Sequence, residues 1–246
     1  MNTNLQKLSI VAVGAMLTTF GLGSTANALT LSSSSGTWIN VNTTDPDLRF
    51  QTVGNENQVR WGLPLRPNTQ QSGLGFTGVT NRIFDINEVF QVGSLRYFNT
   101  VISGPLVLGA DLSVNLNFSE PSVNQSFTFN FGIDETPNRL PCRYSGTTVC
   151  PDRITFPNAF APQTFNVGGV DYTLQLIGFS DATGGIIRND FIGEENTTNQ
   201  TFLFARITTP PPVTEVPEPV TTTGLGLLGI YFGTRRQRQK VFKAMK

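Results

Sequence analysis

The chain has 246 residues, with 17 basic and 17 acidic side chains, two cysteines and no histidine. Histidine catalysis and histidine-ligated metal are therefore excluded. Between an N-terminal leader and a basic C-terminal tail there is no lysine, and ten arginines stand against all 17 carboxylates, a formal charge of −7. A region with this net negative charge is not expected to bind nucleic acid, which is itself negatively charged.

Residues 1–28 have the three parts of a secretory signal peptide: a polar start with Lys7, an apolar run over 8–23, and a small-residue end at Ala26 and Ala28. This order predicts export and cleavage after Ala28. The alternative is a transmembrane anchor. It fits less well, because the apolar run has about 16 residues and a spanning helix needs roughly 20. Export also places the protein where disulfides persist.

The C-terminal end has three segments: a proline-rich spacer (210–219), an apolar segment (220–233) and a basic tail (234–246). Proline fixes φ, so the spacer is expected to be extended. As a helix the apolar segment reaches only about 21 Å, which crosses a bilayer poorly. Basic residues after such a segment stay in the cytoplasm, which leaves the preceding domain on the outer face. The arginines of this basic stop are Arg235, Arg236 and Arg238.

The spacer ends in Val216, Pro217, Glu218 and Pro219. Followed by the glycine- and leucine-rich segment and the arginine cluster, this motif resembles the PEP-CTERM sorting signal. The resemblance implies recognition by an exosortase, a membrane cysteine transpeptidase that cuts near the motif. It also implies transient inner-membrane anchoring before release or re-anchoring at the cell surface. A plain C-terminal tail anchor is the alternative.

The region between the signals, residues 29–209, is long enough for one domain with a hydrophobic core. Residues 126–133 alternate large apolar and small or polar side chains, and residues 112–118 show the same pattern. Period-two alternation predicts half-buried strands. Residues 119–124, with Pro121 and Asn124, supply a turn, so the two segments predict an antiparallel hairpin.

Further strands are predicted along the domain, mostly separated by Gly, Pro, Asn or Ser, with only a weak helical possibility near 85–92. Many short strands without helices predict an all-β antiparallel sandwich of jelly-roll type. Most of the 19 phenylalanines are expected to pack between its sheets. The further predicted strands are 37–41, 58–61, 75–79, 83–92, 95–98, 105–108, 153–156, 170–179, 186–192 and 201–207.

Cys142 and Cys150 enclose seven residues with a turn-forming Ser-Gly near the middle, which predicts a disulfide. Closing so short a loop contributes about 2–3 kcal/mol in the chain-entropy model, so the bridge is expected to shape a loop more than to hold the fold. A nucleophilic thiol is the rival interpretation, but no histidine or domain lysine is present to activate it.

Several landmarks of the domain resemble those of bacterial THxN and choice-of-anchor K surface proteins. They are Ser35-Gly36-Thr37-Trp38, Arg60-Trp61-Gly62, Glu135-Thr136-Pro137-Asn138, Cys142 and Cys150-Pro151. The resemblance implies an exported β domain with variable anchors and carries no established biochemical activity. It departs at the naming motif, because Arg96-Tyr97-Phe98-Asn99 stands where Thr-His-x-Asn is expected. Asn99 alone keeps the pattern, and turn capping is its simplest role.

Without histidine, lysine or a free thiol, enzyme chemistry in the domain reduces to carboxylate pairs, as in glycoside hydrolysis. The adjacent candidates are Asp134 with Glu135 and Glu194 with Glu195. On a strand, neighbours point to opposite faces, so adjacency does not indicate a catalytic pair.

Calcium needs only oxygen ligands. Asp45, Asp47, Asp181 and Asp190 are the candidate ligands, but no calcium-loop spacing is present. A turn around Pro46 is the favoured interpretation of the first two.

Four aromatic residues could stack on sugar rings if exposed: Trp38, Trp61, Tyr97 and Tyr144. The two tryptophans lie within apparent strands, so core packing is expected for them. Tyr144, in the predicted disulfide loop, is the best candidate for an exposed platform.

Together these features predict an exported bacterial surface or matrix protein with a non-enzymatic structural or adhesive role. Its expected partners are the secretion machinery, an exosortase-type transpeptidase and exopolysaccharide. One alternative is a calcium-assisted carbohydrate-binding module, and another is a two-carboxylate glycoside hydrolase.

Overall fold

The computed structural model describes residues 28–147, 150–156 and 162–210. No described residue is helical, so this part of the chain holds no helix able to cross a membrane. Apart from Ala28, the signal peptide lies outside the described residues, as do the sorting motif, the apolar segment and the basic tail. The strands are β1 (Leu29–Ile39), β2 (Arg49–Val53), β3 (Glu56–Trp61), β4 (Leu63–Pro64), β5 (Ser72–Gly78), β6 (Thr80–Phe84), β7 (Val89–Asn99), β8 (Ile102–Ser103), β9 (Gly109–Glu120), β10 (Ser122–Asp134), β11 (Asp152–Thr155), β12 (Gln163–Val167), β13 (Val170–Ser180), β14 (Asp190–Gly193) and β15 (Thr197–Thr208).

The strands form two main antiparallel sheets. A six-stranded sheet has the order β14-β11-β10-β9-β1-β6, and a seven-stranded sheet has the order β12-β13-β15-β7-β5-β3-β2. β4 and β8 pair separately. The predicted all-β class and antiparallel sandwich are confirmed.

The predicted hairpin is formed by β9 and β10. Leu112 lies opposite Phe129 and Val114 lies opposite Phe127, and all four side chains are buried. The connection is shorter than predicted, because both strands continue to a tight turn at Pro121. The alternating pattern correctly identified the face of each strand that packs on the core.

Some predicted elements are wrong. Residues 83–92 are not one strand, since β6 ends at Phe84, a turn follows, and β7 then runs unbroken to Asn99. The helical possibility near 85–92 is wrong for the same reason. Residues 105–108 form no strand. The sequence also did not predict β2 or β12, which lie at the two edges of the seven-stranded sheet and bury little of their own surface.

Phenylalanine rings fill the space between the two sheets, as predicted. Phe84 of β6 stacks on Phe90 of β7 with ring centroids 3.9 Å apart. Phe131 of β10 lies 6.0 Å from Phe179 of β13. Such contacts add to the hydrophobic stabilisation of burial itself.

The two cysteines form the predicted disulfide, with their Cα atoms 4.7 Å apart. Neither thiol is free, so the rival interpretation of a nucleophilic cysteine is wrong. The bridge closes a loop after β10, and the Thr136 hydroxyl donates to the Cys150 carbonyl at 2.7 Å.

Candidate functional site

The four candidate calcium ligands are not assembled into a site. Asp45 accepts backbone N–H groups of Asp47 at 2.9 Å and of Gly62 at 2.5 Å, so its carboxylate braces the turn around Pro46. Asp190 pairs with Arg153 at 2.9 Å, and Asp181 is exposed in a turn after β13. Within the described residues there is no group of three or more His, Cys, Asp or Glu that could hold a metal.

The adjacent carboxylates Asp134 and Glu135, at the end of β10, have different partners. Asp134 accepts hydrogen bonds from Arg143 at 2.6 Å and from Tyr144 at 2.5 Å in the disulfide loop. Glu135 turns inward and accepts the indole N–H of Trp61 at 2.6 Å. Glu194 accepts the backbone N–H of Thr147 at 2.9 Å. The two carboxylates of the first pair therefore belong to separate environments.

Glu135 belongs to a buried acidic network with Asp152 and Glu195. Burial, followed by the charge of Asp152 and of Glu195, raises the pKa of Glu135 to about 7, against the lowering effect of the Trp61 hydrogen bond. Burial, followed by the charge of Asp152, raises the pKa of Glu195 to about 7. Burial also raises the pKa of Asp152. Burial in the network therefore favours the protonated forms of Glu135 and Glu195 at pH values below about 7.

Tyr97 occupies the position where the resembled motif has histidine, and it donates to this network. Its hydroxyl lies 2.7 Å from a carboxylate oxygen of Asp152, and burial followed by the charge of Asp152 raises its pKa well above 10. Asn99 donates to the Gly193 carbonyl at 3.1 Å and thereby joins β7 of one sheet to β14 of the other. The Asn99 side chain therefore links the two sheets by a hydrogen bond. It does not cap a turn, as the sequence had suggested.

The network also contains Trp61 and Thr136, which are landmarks of the resemblance. Tyr97 and Trp61 are 0% exposed, and Asp152 and Glu195 are 3% and 5% exposed. These four groups are closed to a substrate, whereas Glu135 is half-buried. The arrangement is suited to joining the two sheets.

Three of the four candidate aromatic platforms are buried, and the fourth is half-buried. Trp38 and Trp61 are core residues, as expected, and Tyr97 is buried with them. Tyr144 is half-buried, its hydroxyl is bonded to Asp134, and the Arg153 guanidinium lies 5.5 Å from its ring centroid.

A polar groove on the outer face of the seven-stranded sheet was not predicted. We call it the arginine groove, and its volume is about 520 Å³. No Asp or Glu is among the described residues that line it. The lining residues are Arg49, Gln51, Val53, Gln58, Arg60, Gln70, Gln71, Arg96, Phe98 and Thr198.

Alternation along β5 creates the space for this groove. Leu74 and Phe76 point into the core, so Gly73 and Gly75 face outward without side chains. A Cβ at Gly75 would collide with the Glu56 carboxylate, and one at Gly73 would collide with Arg60. The glycines therefore let side chains from the neighbouring strands lie flat across β5.

The pairing register of β5 with its two neighbours brings side chains of β3 close to side chains of β7 across the glycines of β5. Gly73 pairs with Arg60 on one side and Phe98 on the other, and Gly75 pairs with Gln58 and Arg96. The Arg60 guanidinium lies 3.4 Å from the Phe98 ring centroid, a cation–π contact.

Hydrogen bonds hold the floor of the groove in one arrangement. Arg96 donates two bonds to Glu56, at 2.7 and 2.5 Å, and Gln58 donates to the same carboxylate. Arg60 donates to the Gln58 side chain at 3.0 Å and to the Gln71 carbonyl at 2.9 Å. Burial lowers the pKa of Arg60 to about 10, opposed by the charge of Glu56, so its guanidinium stays charged at neutral pH.

The sequence contains two alternating patterns that indicate the groove, although the prediction of strands makes no use of them. Glu56, Gln58 and Arg60 alternate on β3, and glycines alternate with Leu74 and Phe76 on β5. Recognising the site required knowing that these strands are neighbours and that β7 lies on the far side of β5.

In comparison with known proteins, no family model matches this chain and no curated protein matches it. The fold, the disulfide and the arginine groove are therefore the structural observations on which a function is built.

Proposed function

We propose that this chain is an exported bacterial protein, processed through a PEP-CTERM-type signal by an exosortase, that acts without catalysis at the cell surface or in the extracellular matrix. The role is structural or adhesive, within exopolysaccharide. The observation that carries the proposal is the order of segments: a leader, a disulfide-bonded β-sandwich, a proline-rich spacer with Val216–Pro219, a short apolar segment and a basic tail.

Two structural features support export. The disulfide between Cys142 and Cys150 is typical of an oxidising compartment. β1 begins at Leu29, directly after the predicted cleavage site at Ala28, and Leu29 is buried in the core. A cut after Ala28 would therefore leave the first strand whole.

Mass spectrometry of the surface-associated protein from its native host tests the proposal. We expect an N-terminal peptide beginning at Leu29 and no peptide from the basic tail. A matched variant with Pro217, Glu218 and Pro219 all replaced by alanine should keep the new N-terminus and retain the tail. An intact C-terminal peptide ending at Lys246 in the mature wild-type pool would contradict sorting.

A carbohydrate-binding module is the second candidate, and the arginine groove favours it, since a polar groove on a sandwich sheet offers a site for a saccharide. The calcium-assisted form of this alternative gains no support from Asp45, Asp47, Asp181 and Asp190, which the structure leaves dispersed. Binding that disappears on chelation would nevertheless establish it.

For a glycoside hydrolase, several candidate carboxylates are already engaged within the fold. Glu135 and Asp152 are engaged by buried donors, and Asp134 is bound to the disulfide loop. Release of reducing ends from polysaccharide would contradict the non-enzymatic role.

A further inference from the structure

We propose that the arginine groove binds an acidic oligosaccharide, with Arg49 and Arg96 pairing with its carboxylates and glutamine side chains pairing with its hydroxyls. This inference names a ligand class for the surface role proposed above, and the choice of a saccharide rests on that role.

The first supporting feature is a pair of like charges. Arg49 of β2 lies directly opposite Arg60 of β3, and both line the groove. Like charges facing each other across strands are destabilising. Arg49 is exposed and forms no ion pair with any described residue. This pair therefore gives the sandwich no stabilisation, whereas a bound anion near Arg49 would offset the repulsion.

The second feature is an excess of positive charge in the network below the groove. Glu56, whose side chain is only 6% exposed, is already bound by Arg96 and Gln58. Arg60 and Arg96 thus share one carboxylate, and Arg49 adds a third positive charge to the lining. The Arg96 side chain remains 37% exposed and can contact a ligand with the edge that Glu56 does not occupy.

The third feature is the contrast with the rest of the protein. The chain between leader and tail has a formal charge of −7, yet three of its ten arginines line this one groove. An acidic polymer is repelled by most of such a surface and attracted here, because a groove lined by one sign of charge focuses its field.

The side chains define the ligand chemistry. Arginine presents a planar fork that matches carboxylate geometry. The amides of Gln51 and Gln70, both exposed, can donate and accept, as sugar hydroxyls require. A volume of about 520 Å³ exceeds the needs of a single small anion and suits a segment of a chain of sugars.

Titration calorimetry of the full chain, with its disulfide intact, tests this inference. The probe is a hexamer of galacturonic acid, and its methyl ester serves as the uncharged control. We expect the wild type to bind the acid and not the ester, more weakly at high salt and equally with and without chelator.

The decisive variant is Arg49→Glu, with Arg82→Glu as its matched control. Arg82 is exposed on β6 of the other sheet, so both changes alter the net charge equally. Arg49→Glu should weaken binding at least about tenfold, or about 1.4 kcal/mol. It should leave the melting temperature unchanged or higher, because the new carboxylate faces Arg60. Arg82→Glu should leave the affinity within about twofold of wild type.

Failure of wild-type binding, equal loss in both variants, or a lower melting temperature accompanying lost binding in Arg49→Glu would overturn the inference. Loss of binding on chelation would also overturn it, in favour of a calcium site. These results are independent of processing at the termini. If the full chain binds the hexamer but the surface protein from the native host keeps its basic tail, the proposed sorting is refuted and the groove assignment stands.

Discussion

At the scale of single residues, the buried carboxyl groups are the most unusual feature of the sandwich. Tyr97 and Trp61 both donate to this network, at Asp152 and Glu135 respectively. Buried polar groups are tolerated when hydrogen-bonded, and a joined network of them favours one packing arrangement over others. The network is therefore expected to orient the two sheets relative to each other.

The raised pKa values make stability depend on pH in a defined direction. Glu135 and Glu195 have pKa values of about 7 in the folded protein, against an ordinary value of 4.5. The fold therefore favours their protonated forms, and this stabilisation is complete below pH 4.5. Between pH 4.5 and about 7 the unfolded chain releases these protons first, so the free energy of unfolding falls as pH rises.

Glu135→Gln should remove much of this dependence, because the amide is neutral at every pH and its oxygen can still accept the Trp61 N–H. We expect little change at pH 4.5 and a free energy of unfolding higher by up to about 3 kcal/mol at pH 8, at about 1.4 kcal/mol per pKa unit. Denaturant unfolding at a series of pH values measures this. The control is Glu120→Gln at an exposed carboxylate, and an unaltered pH profile in Glu135→Gln would refute the prediction.

At the scale of elements, β1 lies close against the seven-stranded sheet. The Ser34 hydroxyl donates to the Val92 carbonyl at 2.5 Å and accepts the Val79 N–H at 2.8 Å. Two residues further along β1, on the same face of the strand, Gly36 lies against the Phe76 ring. The absence of a side chain at Gly36 is what allows β1 to lie so near β5.

Gly36→Ala should therefore destabilise the protein by about 1–3 kcal/mol, because the added methyl would lie 2.5 Å from the Phe76 ring and 2.9 Å from Leu112 in a packed core. Ser35→Ala, at the exposed neighbouring position on the same strand, should change the free energy of unfolding by less than about 0.5 kcal/mol. Chemical denaturation compares the two. Equal stability of both variants would show that the core accommodates the methyl group.

At the scale of the whole molecule, the distribution of lysine provides a test of processing. Lys7 lies in the leader, and Lys240, Lys243 and Lys246 lie in the basic tail. If both ends are removed as proposed, the mature protein has no lysine and a single α-amino group at Leu29.

An amine-reactive dye should then label the native mature protein with one dye per chain, and a lysine-specific protease should not cut it. The uncleaved chain, made in a host without the sorting enzyme, is the control and should accept dye at several sites. Multiple labelling of the native protein would show that a lysine-bearing terminus is retained.

Local patterns in the sequence determined the all-β class, the β9–β10 hairpin and the disulfide. Alternation of apolar residues is a property of one strand, and the spacing of Cys142 and Cys150 is a property of one loop. Edge strands such as β2 were missed because they are held by pairing with a neighbour and carry little burial pattern of their own. The proposed export and sorting signals are likewise local and rest on the sequence alone.

Only the tertiary structure decided which polar residues meet. Glu135 and Tyr97 are far apart in the chain and become members of one buried network because β7 and β10 belong to facing sheets. Arg49, Arg60 and Arg96 line one groove because β2, β3, β5 and β7 are neighbours in a single sheet, with glycines on the strand between β3 and β7. Strand order and register are long-range properties, and no short segment of this sequence contains them.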